Sequence, residues 1–376
     1  MTVKLAKTLS AFALVFSSQF IAADITRDKD LTIEKLTTDI SLGWGMDYLN
    51  NKTLLITSRE GQLFQYDFET HQKTEIQGLP EDILVEGQGG LFDVKHAPDY
   101  DKTGWIYFSY AKDIDGEGAT TLARAKLDNN KLIDWQELLV TQSRTGNDVH
   151  YGGRITFDGQ GHIFLSVGDR GERPNGQNLM THAGSILRLN MDGTAASDNP
   201  FINQDKALPE IWSYGHRNPQ GLFYNQQTQQ LWEIEHGPRG GDEINLIEAG
   251  KNYGWPEISY GKEYWAPLSV GHGTHQDGME QPVKTYFPSI APSSLIQYQG
   301  TLFPEWQGKL ISGALSLQHL NIVSLNENNE AVDEQRLLDT LSSRVRNVIE
   351  APDGALIIST DAGAVYRISP AVSTKH

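Results

Sequence analysis

The sequence contains no cysteine among its 376 residues. This absence excludes disulfide bridges, thiolate metal sites, cysteine nucleophiles and CxxC redox chemistry. Basic residues are also scarce, with 31 Lys and Arg against 48 Asp and Glu, which gives a formal net charge of −17. Because phosphate backbones and anionic lipids are bound through basic surfaces, this charge argues against nucleic-acid and anionic-membrane partners.

Long apolar runs are missing except near the start of the chain. Lys4 and Lys7 precede an apolar run over residues 9–15, which reaches Ala22 and Ala23 after a short polar break. This arrangement is typical of a secretory signal peptide over residues 1–23, although an uncleaved membrane anchor is the alternative. The run is shorter than the roughly 20 apolar residues that a membrane-spanning helix needs. We therefore predict an exported protein, periplasmic or secreted, with one mature domain over residues 24–376 and no membrane span.

Helical periodicity is also rare, and short strands recur in its place. Apolar or alternating runs are separated by turns rich in Gly, Asn or Asp, as in 53–58 followed by 62–68, which is typical of antiparallel hairpins. The segment 157–169 resembles the segment 351–363, and each reads as strand, polar turn and strand. Such repeats predict an all-β fold, a six-bladed β-propeller of four-stranded antiparallel sheets. A pair of β-sandwiches is the alternative.

Most candidate functional residues lie in four loops rich in glycine and polar residues. The first, residues 86–90, has three glycines but lacks the Gly-Lys-Ser/Thr ending of a phosphate-binding loop, so we exclude nucleotide binding. In the second, His150 precedes two glycines at a strand start, where it fits either a general base with open access or a hydrogen-bonded structural histidine.

The third and fourth loops offer a cation and a set of oxygen ligands. Arg217 and Asn218 suit a carboxylate or a quinone oxygen, although pairing with an acid of the protein is the commoner fate of an arginine. Residues 235–243 interleave carboxylates with glycines and free carbonyls, which suits Ca²⁺ but also an ordinary acidic hairpin turn.

Two arginines follow at alternate positions of a predicted strand. Arg344 and Arg346 share one face, because side chains repeat every two residues along a strand. Like charges side by side repel each other. The pair therefore predicts an anionic ligand or an acidic partner within the protein.

Eight motifs between about residues 40 and 370 carry a resemblance to a known family. They stand in the family's order: EGQGGLFDVKHAPDY, HYGGRITF, GDRG, DGTAASDNPF, IWSYGHRNPQGL, EHGPRGGDEINLIEAGKNYGWP, IAPSS and RVRNVIEAPDGALIISTDAG. The chain resembles the PQQ-dependent glucose/sorbosone dehydrogenases, and most closely their aldose sugar dehydrogenase branch. The resemblance implies a six-bladed propeller, export, and PQQ and Ca²⁺ as cofactors. It also implies oxidation of the C1 hydroxyl of aldoses to lactones, with electrons passed to an external quinone or cytochrome.

The resemblance also implies roles for the reacting groups. His150 would take the proton from the anomeric hydroxyl while the C1 hydride passes to the C5 carbonyl of PQQ. Arg217, next to Asn218, would stabilise the negative charge that develops on the quinone oxygen. Gln88 would lie beside the cofactor.

The same family pattern implies residues that hold PQQ and calcium. Arg344 and Arg346 would hold carboxylates of PQQ. Two main-chain carbonyls would bind the Ca²⁺ that anchors and polarises PQQ, and a second, structural Ca²⁺ site would use two carboxylates and one carbonyl. The implied ligands are Gly237 and Pro238 for the first site and Glu243, Tyr253 (by its carbonyl) and Glu263 for the second.

One position departs from the family pattern. Ser316 stands where the family usually has a lysine that contacts the acid groups of PQQ. Losing one charge-assisted hydrogen bond costs about 1.5–3 kcal/mol, or roughly one to two decades of affinity, so we expect weaker PQQ binding. Arg239 is a candidate replacement cation.

The sequence also leaves two alternative functions open. A non-catalytic exported propeller that binds sugar or a protein partner is the main alternative. A calcium-dependent lactonase would need acidic Ca²⁺ ligands at the propeller axis, where the motifs instead offer His, Arg and Asn, and it ranks last.

Overall fold

The computed structural model describes residues 25–28 and 30–371, and nearly all of their regular structure is β-strand. The predicted signal peptide, residues 1–23, lies outside the described residues. Within the described part, no helix is long and apolar enough to cross a membrane. The helices found there are short: α1 (Tyr100–Thr103) and the 3-10 helices Arg173–Gln177, Pro304–Trp306 and Asp339–Leu341.

Five four-stranded antiparallel sheets follow one another along the chain. Blade 1 consists of β3 (Gly43–Asn50), β4 (Thr53–Ser58), β5 (Gln62–Asp67) and β6 (Gln72–Ile76). Blade 2 consists of β7 (Leu91–His96), β8 (Trp105–Ile114), β9 (Glu117–Asp128) and β10 (Lys131–Val140). Blade 3 consists of β11 (Ile155–Phe157), β12 (His162–Val167), β13 (Ser185–Asn190) and β14 (Ile211–Tyr214). Blade 4 consists of β15 (Pro219–Asn225), β16 (Gln230–Glu235), β17 (Asp242–Ile247) and β18 (Lys284–Tyr286). Blade 5 consists of β19 (Ile296–Gln297), β20 (Leu310–Ala314), β21 (His319–Leu325) and β22 (Ala331–Leu337).

Blade 6 joins the two ends of the described chain. Its strands, from the axis outward, are β23 (Val345–Glu350), β24 (Leu356–Thr360), β25 (Val365–Pro370), β2 (Leu31–Thr37) and β1 (Ile25–Asp28). The amino-terminal strand β2 pairs antiparallel with β25, so that the ring closes through hydrogen bonds between distant parts of the chain. The additional strand β1 pairs with β2 at the outer edge.

The blades form a closed ring around an axis. The first strands of blades 1 to 5 and β23 of blade 6 each contact the corresponding strands of the two neighbouring blades. The predicted six-bladed β-propeller of four-stranded antiparallel sheets is therefore confirmed, with β1 as one extra edge strand. The alternative of paired β-sandwiches is wrong, because each sheet packs between two others.

Burial of both sheet faces explains why some strands are continuous apolar runs. In β4 the consecutive residues Leu54, Leu55 and Ile56 are all fully buried. Consecutive side chains of a strand point to opposite faces, so both faces of blade 1 lie against apolar neighbours. The core consequently consists of apolar layers between blades, as in the cluster that joins β4 to β23 and β24 of blade 6.

A buried ion pair connects the innermost parts of several blades. Arg154 pairs with Asp93 at 3.3 Å between Nη1 and Oδ1, and it donates to the carbonyl oxygens of Gln220 and Ser293 at 2.7 Å each. Its guanidinium carbon lies 3.8 Å from the centroid of the Trp44 ring. The pair lines a second cavity, which lies at the other end of the innermost strands.

Candidate functional site

Four of the predicted cofactor-binding residues line one cavity of about 140 Å³. They are Gln88, Asn218, Arg344 and Arg346. Blade geometry brings them together, because the innermost strands all begin at the same end of the ring and these residues lie at or just before those starts. Aromatic side chains at the starts of β3 and β7, Trp44 and Phe92, form part of the wall.

His150 lies beside this cavity in a fixed orientation. Its main-chain N–H donates to Gln88 Oε1 at 2.9 Å, and its φ of 55° is in the left-handed region. Its Nδ1 lies 2.7 Å from Oδ1 of Asp169, a carboxylate that is only 1% exposed. Next to an ionised carboxylate Nδ1 carries the proton, which leaves Nε2 as a proton acceptor. A histidine held in this way has the geometry that a general base requires.

Asp169 is a candidate functional residue that the sequence patterns did not single out. Its Oδ2 accepts a hydrogen bond from Nε1 of Trp255 at 2.7 Å, and its Oδ1 also accepts from the main chain of Gly171 at 2.8 Å. Two of these residues stand in the GDRG motif and the third in the NYGWP segment. An Asp in a short motif bounded by glycines was the available signal, but its pairing with His150 depends on the folded blade.

Hydrogen bonds hold both the main chain and the guanidinium of Arg217. Its main-chain N–H donates to Glu235 Oε2 at 2.6 Å, and its Nη1 donates to the carbonyls of His236 and Gly237 at 3.0 and 2.9 Å. Its Nε is buried and has no hydrogen-bond partner within the described residues. The guanidinium is thus held against the 235–243 loop through Nη1, while its buried Nε remains without a partner.

The two strand arginines share an acidic partner. Arg344 Nε and Arg346 Nε each lie 2.7 Å from an oxygen of Asp361, and Arg346 adds a second bond at 2.9 Å from Nη2. Burial works to raise the pKa of Asp361, but the hydrogen bonds and charges of Arg346 and Arg344 hold it below its usual value. One of the two open alternatives, an acid within the protein, is therefore present. Two guanidiniums against one carboxylate still leave a net positive charge on the cavity wall.

The first predicted calcium loop presents its carbonyls next to these cations. The Gly237 carbonyl accepts one hydrogen bond from Arg217, and the Pro238 carbonyl accepts one from Ser289 Oγ at 3.3 Å. Each carbonyl oxygen has a second lone pair that a cation could use. Asp242 shapes the loop by accepting from the Gly237 N–H at 3.0 Å, and burial raises the pKa of Asp242 to about 6.

The residues predicted for the second calcium site have different neighbours in the structure. Glu263 makes a bidentate pair with Arg173, with both N–O distances at 2.7 Å. Glu243 lies on β17 directly opposite Glu235 of β16. The ring of Tyr253 stacks on a buried histidine 4.8 Å away, centroid to centroid.

That histidine belongs to a buried acidic cluster that the sequence reasoning missed. His216, Glu233 and Glu235 offer ligand atoms that all lie within 4.8 Å of one another. Glu233 Oε1 is buried without a partner in the described structure, whereas Oε2 accepts from Asn245 at 3.0 Å. Burial, and then the charges of Glu235 and Glu243, raise the pKa of Glu233 well above its usual value. The cluster can hold a proton or a cation.

Ser316, which stands in place of the family's lysine, and Arg239, the candidate replacement cation, both lie outside the cavity wall. Ser316 is exposed in the turn after β20, and its N–H donates to the carbonyl of Ile290. Arg239 is also exposed, and its main chain bonds to that of Lys262. Arg59, which no sequence pattern singled out, does line the cavity.

Comparison with known proteins gives consistent relatives. Residues 40–367 match the family model described as Glucose / Sorbosone dehydrogenase. The aldose sugar dehydrogenase YliI of Escherichia coli is 36% identical over 364 residues, which cover 95% of this chain and 96% of that protein. The crystal structure of the soluble aldose sugar dehydrogenase from Escherichia coli in the apo-form superposes with a TM-score of 0.86 at 35% identity, covering 90% of this chain and 99% of that one.

A third relative was solved with a cofactor. The PQQ-bound form of the aldose sugar dehydrogenase from Streptomyces coelicolor gives a TM-score of 0.74 at 25% identity, covering 91% of this chain and 99% of that one. The matches extend over most of the chain and agree with the propeller and with the order of the motifs. The chain belongs to the glucose/sorbosone dehydrogenase family of sugar dehydrogenases.

Proposed function

We propose that this protein is an exported aldose dehydrogenase that uses PQQ and Ca²⁺ to oxidise the C1 hydroxyl of aldoses to lactones. The observation that carries the proposal is the His150–Asp169 pair at the edge of a cavity with a cationic wall. Electrons would leave to an external acceptor, a quinone or a cytochrome. Family membership supports the sugar and the quinone cofactor, and the start of the sequence supports export.

The mechanism derives from groups that are already oriented. PQQ, when bound, supplies the quinone that accepts a hydride from C1 of the sugar. Asp169 holds the proton on Nδ1 of His150, so that Nε2 is the atom that removes the hydroxyl proton. Arg217 would stabilise the negative charge that develops on the quinone oxygen, and its buried Nε has no hydrogen-bond partner among the described residues. Arg344 and Arg346 would hold carboxylates of the cofactor.

Calcium fits the loop that lies against Arg217. The carbonyls of Gly237 and Pro238 would be its protein ligands, and oxygen donors are what Ca²⁺ prefers. For the second site we propose Glu243 and the Tyr253 carbonyl. Glu263 could join them only by giving up its bidentate pair with Arg173.

Reconstitution tests the proposal directly. The mature protein, freed of cofactor, is titrated with PQQ in the presence of Ca²⁺, and binding is followed by absorbance. Glucose and other aldoses are then added together with an artificial electron acceptor, and reduction of the acceptor is measured. We expect saturable PQQ binding and sugar-dependent dye reduction. Failure to bind PQQ would overturn the proposal, and sugar binding without PQQ would favour the non-catalytic propeller.

The variant His150→Ala separates catalysis from cofactor binding. Because His150 removes a proton and does not hold the cofactor, we expect PQQ to bind as in the wild type while turnover falls by about 10²–10⁴-fold. Retained turnover would remove His150 from the mechanism.

A further inference from the structure

The cavity contains a third guanidinium group in addition to the two strand arginines. Arg59 follows β4 of blade 1 and lines the same cavity as Arg344 and Arg346. Its Nε is buried and has no hydrogen-bond partner among the described residues. An arginine donor that is withdrawn from water without a partner costs free energy, and a bound anion would recover it.

The charge balance of this wall favours an anion. Arg59, Arg344 and Arg346 bring three positive charges, and Asp361 is the acid that contacts two of them. The pKa of Arg59 is lowered, first by burial and then by the charge of Arg346, which means that the two cations repel each other across the cavity. Glu60 and Asp361 act on the pKa of Arg59 in the opposite direction, but two carboxylates against three guanidiniums still leave an excess positive charge that suits an anionic ligand.

Arg59 also compensates for the absence of a lysine at residue 316. The serine there is exposed and outside the lining, and so is Arg239, the replacement cation suggested by the sequence. A guanidinium can bind a carboxylate through two parallel hydrogen bonds, which a lysine ammonium cannot do. Arg59 therefore supplies the third cation at the cavity itself.

We propose that Arg59 binds a carboxylate of PQQ, together with Arg344 and Arg346, and replaces the cation that the chain lacks at position 316. This inference rests on the proposed function. It makes Arg59 a cofactor-binding residue and predicts that the serine at 316 leaves PQQ affinity largely intact.

The main-chain bonds of Arg59 allow a clean substitution. Its N–H donates to the Leu42 carbonyl, and its carbonyl accepts from the Leu91 N–H, so these links between segments do not use the side chain. Arg59→Gln removes the charge and keeps a polar side chain, whereas Arg59→Lys keeps the charge and loses the paired donors. Arg336→Gln is the matched control, because it removes an exposed arginine of the outer strand β22, away from the cavity.

The experiment is an equilibrium titration of each full-length mature variant with PQQ and Ca²⁺, without sugar, at several salt concentrations. We expect Arg59→Gln to raise the Kd for PQQ by about 10–100-fold, the loss typical of one charge-assisted hydrogen bond. Its Kd should depend less on salt than that of the wild type, because one of the screened attractions is gone. Arg59→Lys should recover part of the affinity, and Arg336→Gln should match the wild type.

The outcomes separate this inference from the proposed function. If the wild type binds PQQ and Arg59→Gln binds it equally well with the same salt dependence, only the role of Arg59 is overturned. If Arg59→Gln and Arg59→Lys lose affinity equally while their thermal unfolding is also shifted downward, a structural role replaces the binding role. If the wild type itself does not bind PQQ, both the proposed function and this inference fall.

Discussion

At the scale of single residues, the site depends on which partner each charged group finds. His150 gains a defined tautomer from Asp169, and Asp169 is in turn held by the indole of Trp255. A buried carboxylate with three hydrogen-bonded contacts cannot reorient without leaving a donor unpaired. The imidazole of the proposed base is therefore held in place by the protein itself.

The variant Asp169→Asn tests this positioning. An amide in place of the carboxylate no longer fixes the proton on Nδ1, and its NH₂ group can instead favour the tautomer with a proton on Nε2. We expect kcat to fall by about 10²-fold or more while the Kd for PQQ stays near the wild-type value. Steady-state kinetics at saturating PQQ, together with the binding titration, measure both quantities.

The chain offers a matched control for this experiment. Asp158 and His162 form a second Asp–His pair, 2.6 Å apart, at the opposite end of β12 from Asp169. Asp158→Asn should leave kcat unchanged, since that pair lies away from the cavity. Equal losses in the two variants would show that removing a buried carboxylate disturbs blade 3 as a whole.

At the scale of elements, polar pairs between neighbouring blades complement the apolar layers. Asp47 of β3 accepts from both the ring Nδ1 and the main-chain N–H of His96 in β7, at 2.6 and 2.7 Å. Lys95 approaches the same carboxylate at 3.6 Å. The hydrogen bond to Asp47 raises the pKa of His96 despite its partial burial.

The sign of this shift gives a pH-dependent prediction. Folding favours the protonated imidazole of His96, so its contribution to stability is complete below the ordinary pKa of about 6.5 and is lost as pH rises through the folded-state value. We expect His96→Gln to lower the free energy of unfolding more at pH 5.5 than at pH 8.5. Urea unfolding at both pH values measures the difference, and His275→Gln, an exposed histidine, is the control. The same loss at both pH values would contradict the assigned role of the charge.

Much of the fold could be predicted from the sequence because its repeats are local. Segments such as 157–169 contain a strand, a turn and a strand within one short stretch, which is most of what a blade requires. His150, Arg217 and the pair at 344 and 346 could be found because each stands in a recognisable motif. These signals are carried by neighbours in the chain.

The remaining features arise only from folding. The pairing of His150 with Asp169, and of Arg346 with Asp361, depends on how adjacent strands of one blade end beside each other. Arg59 reaches the cavity from blade 1, while the other two arginines come from blade 6. No short-range pattern records that blades 1 and 6 are neighbours, because that contact follows from closing the ring.

At the scale of the whole molecule, the closure of the ring places strand β2 in the same blade as Arg346, which lines the cavity. Strand β2 belongs to the same sheet as β23, which carries Arg346 and follows Arg344. Ile33 of β2 is fully buried, lies opposite Ile368, and is part of the apolar cluster between blades 5 and 6. A loss of packing at Ile33 therefore acts on the seam where the ring is joined.

The variant Ile33→Ala tests how much stability this seam provides. Truncating a buried isoleucine to alanine costs about 2–5 kcal/mol, through lost apolar contact and the cavity left behind. We expect that decrease in the free energy of unfolding by urea, with bound PQQ restoring part of it, because a ligand that binds only the folded state stabilises that state. Val332→Ala, a residue of the outer strand β22 that is 61% exposed, should change the free energy by less than about 0.5 kcal/mol. If the two variants lost equal stability, the closure by β2 would contribute no more than an exposed edge, and the ring would have to be held by contacts between the other blades.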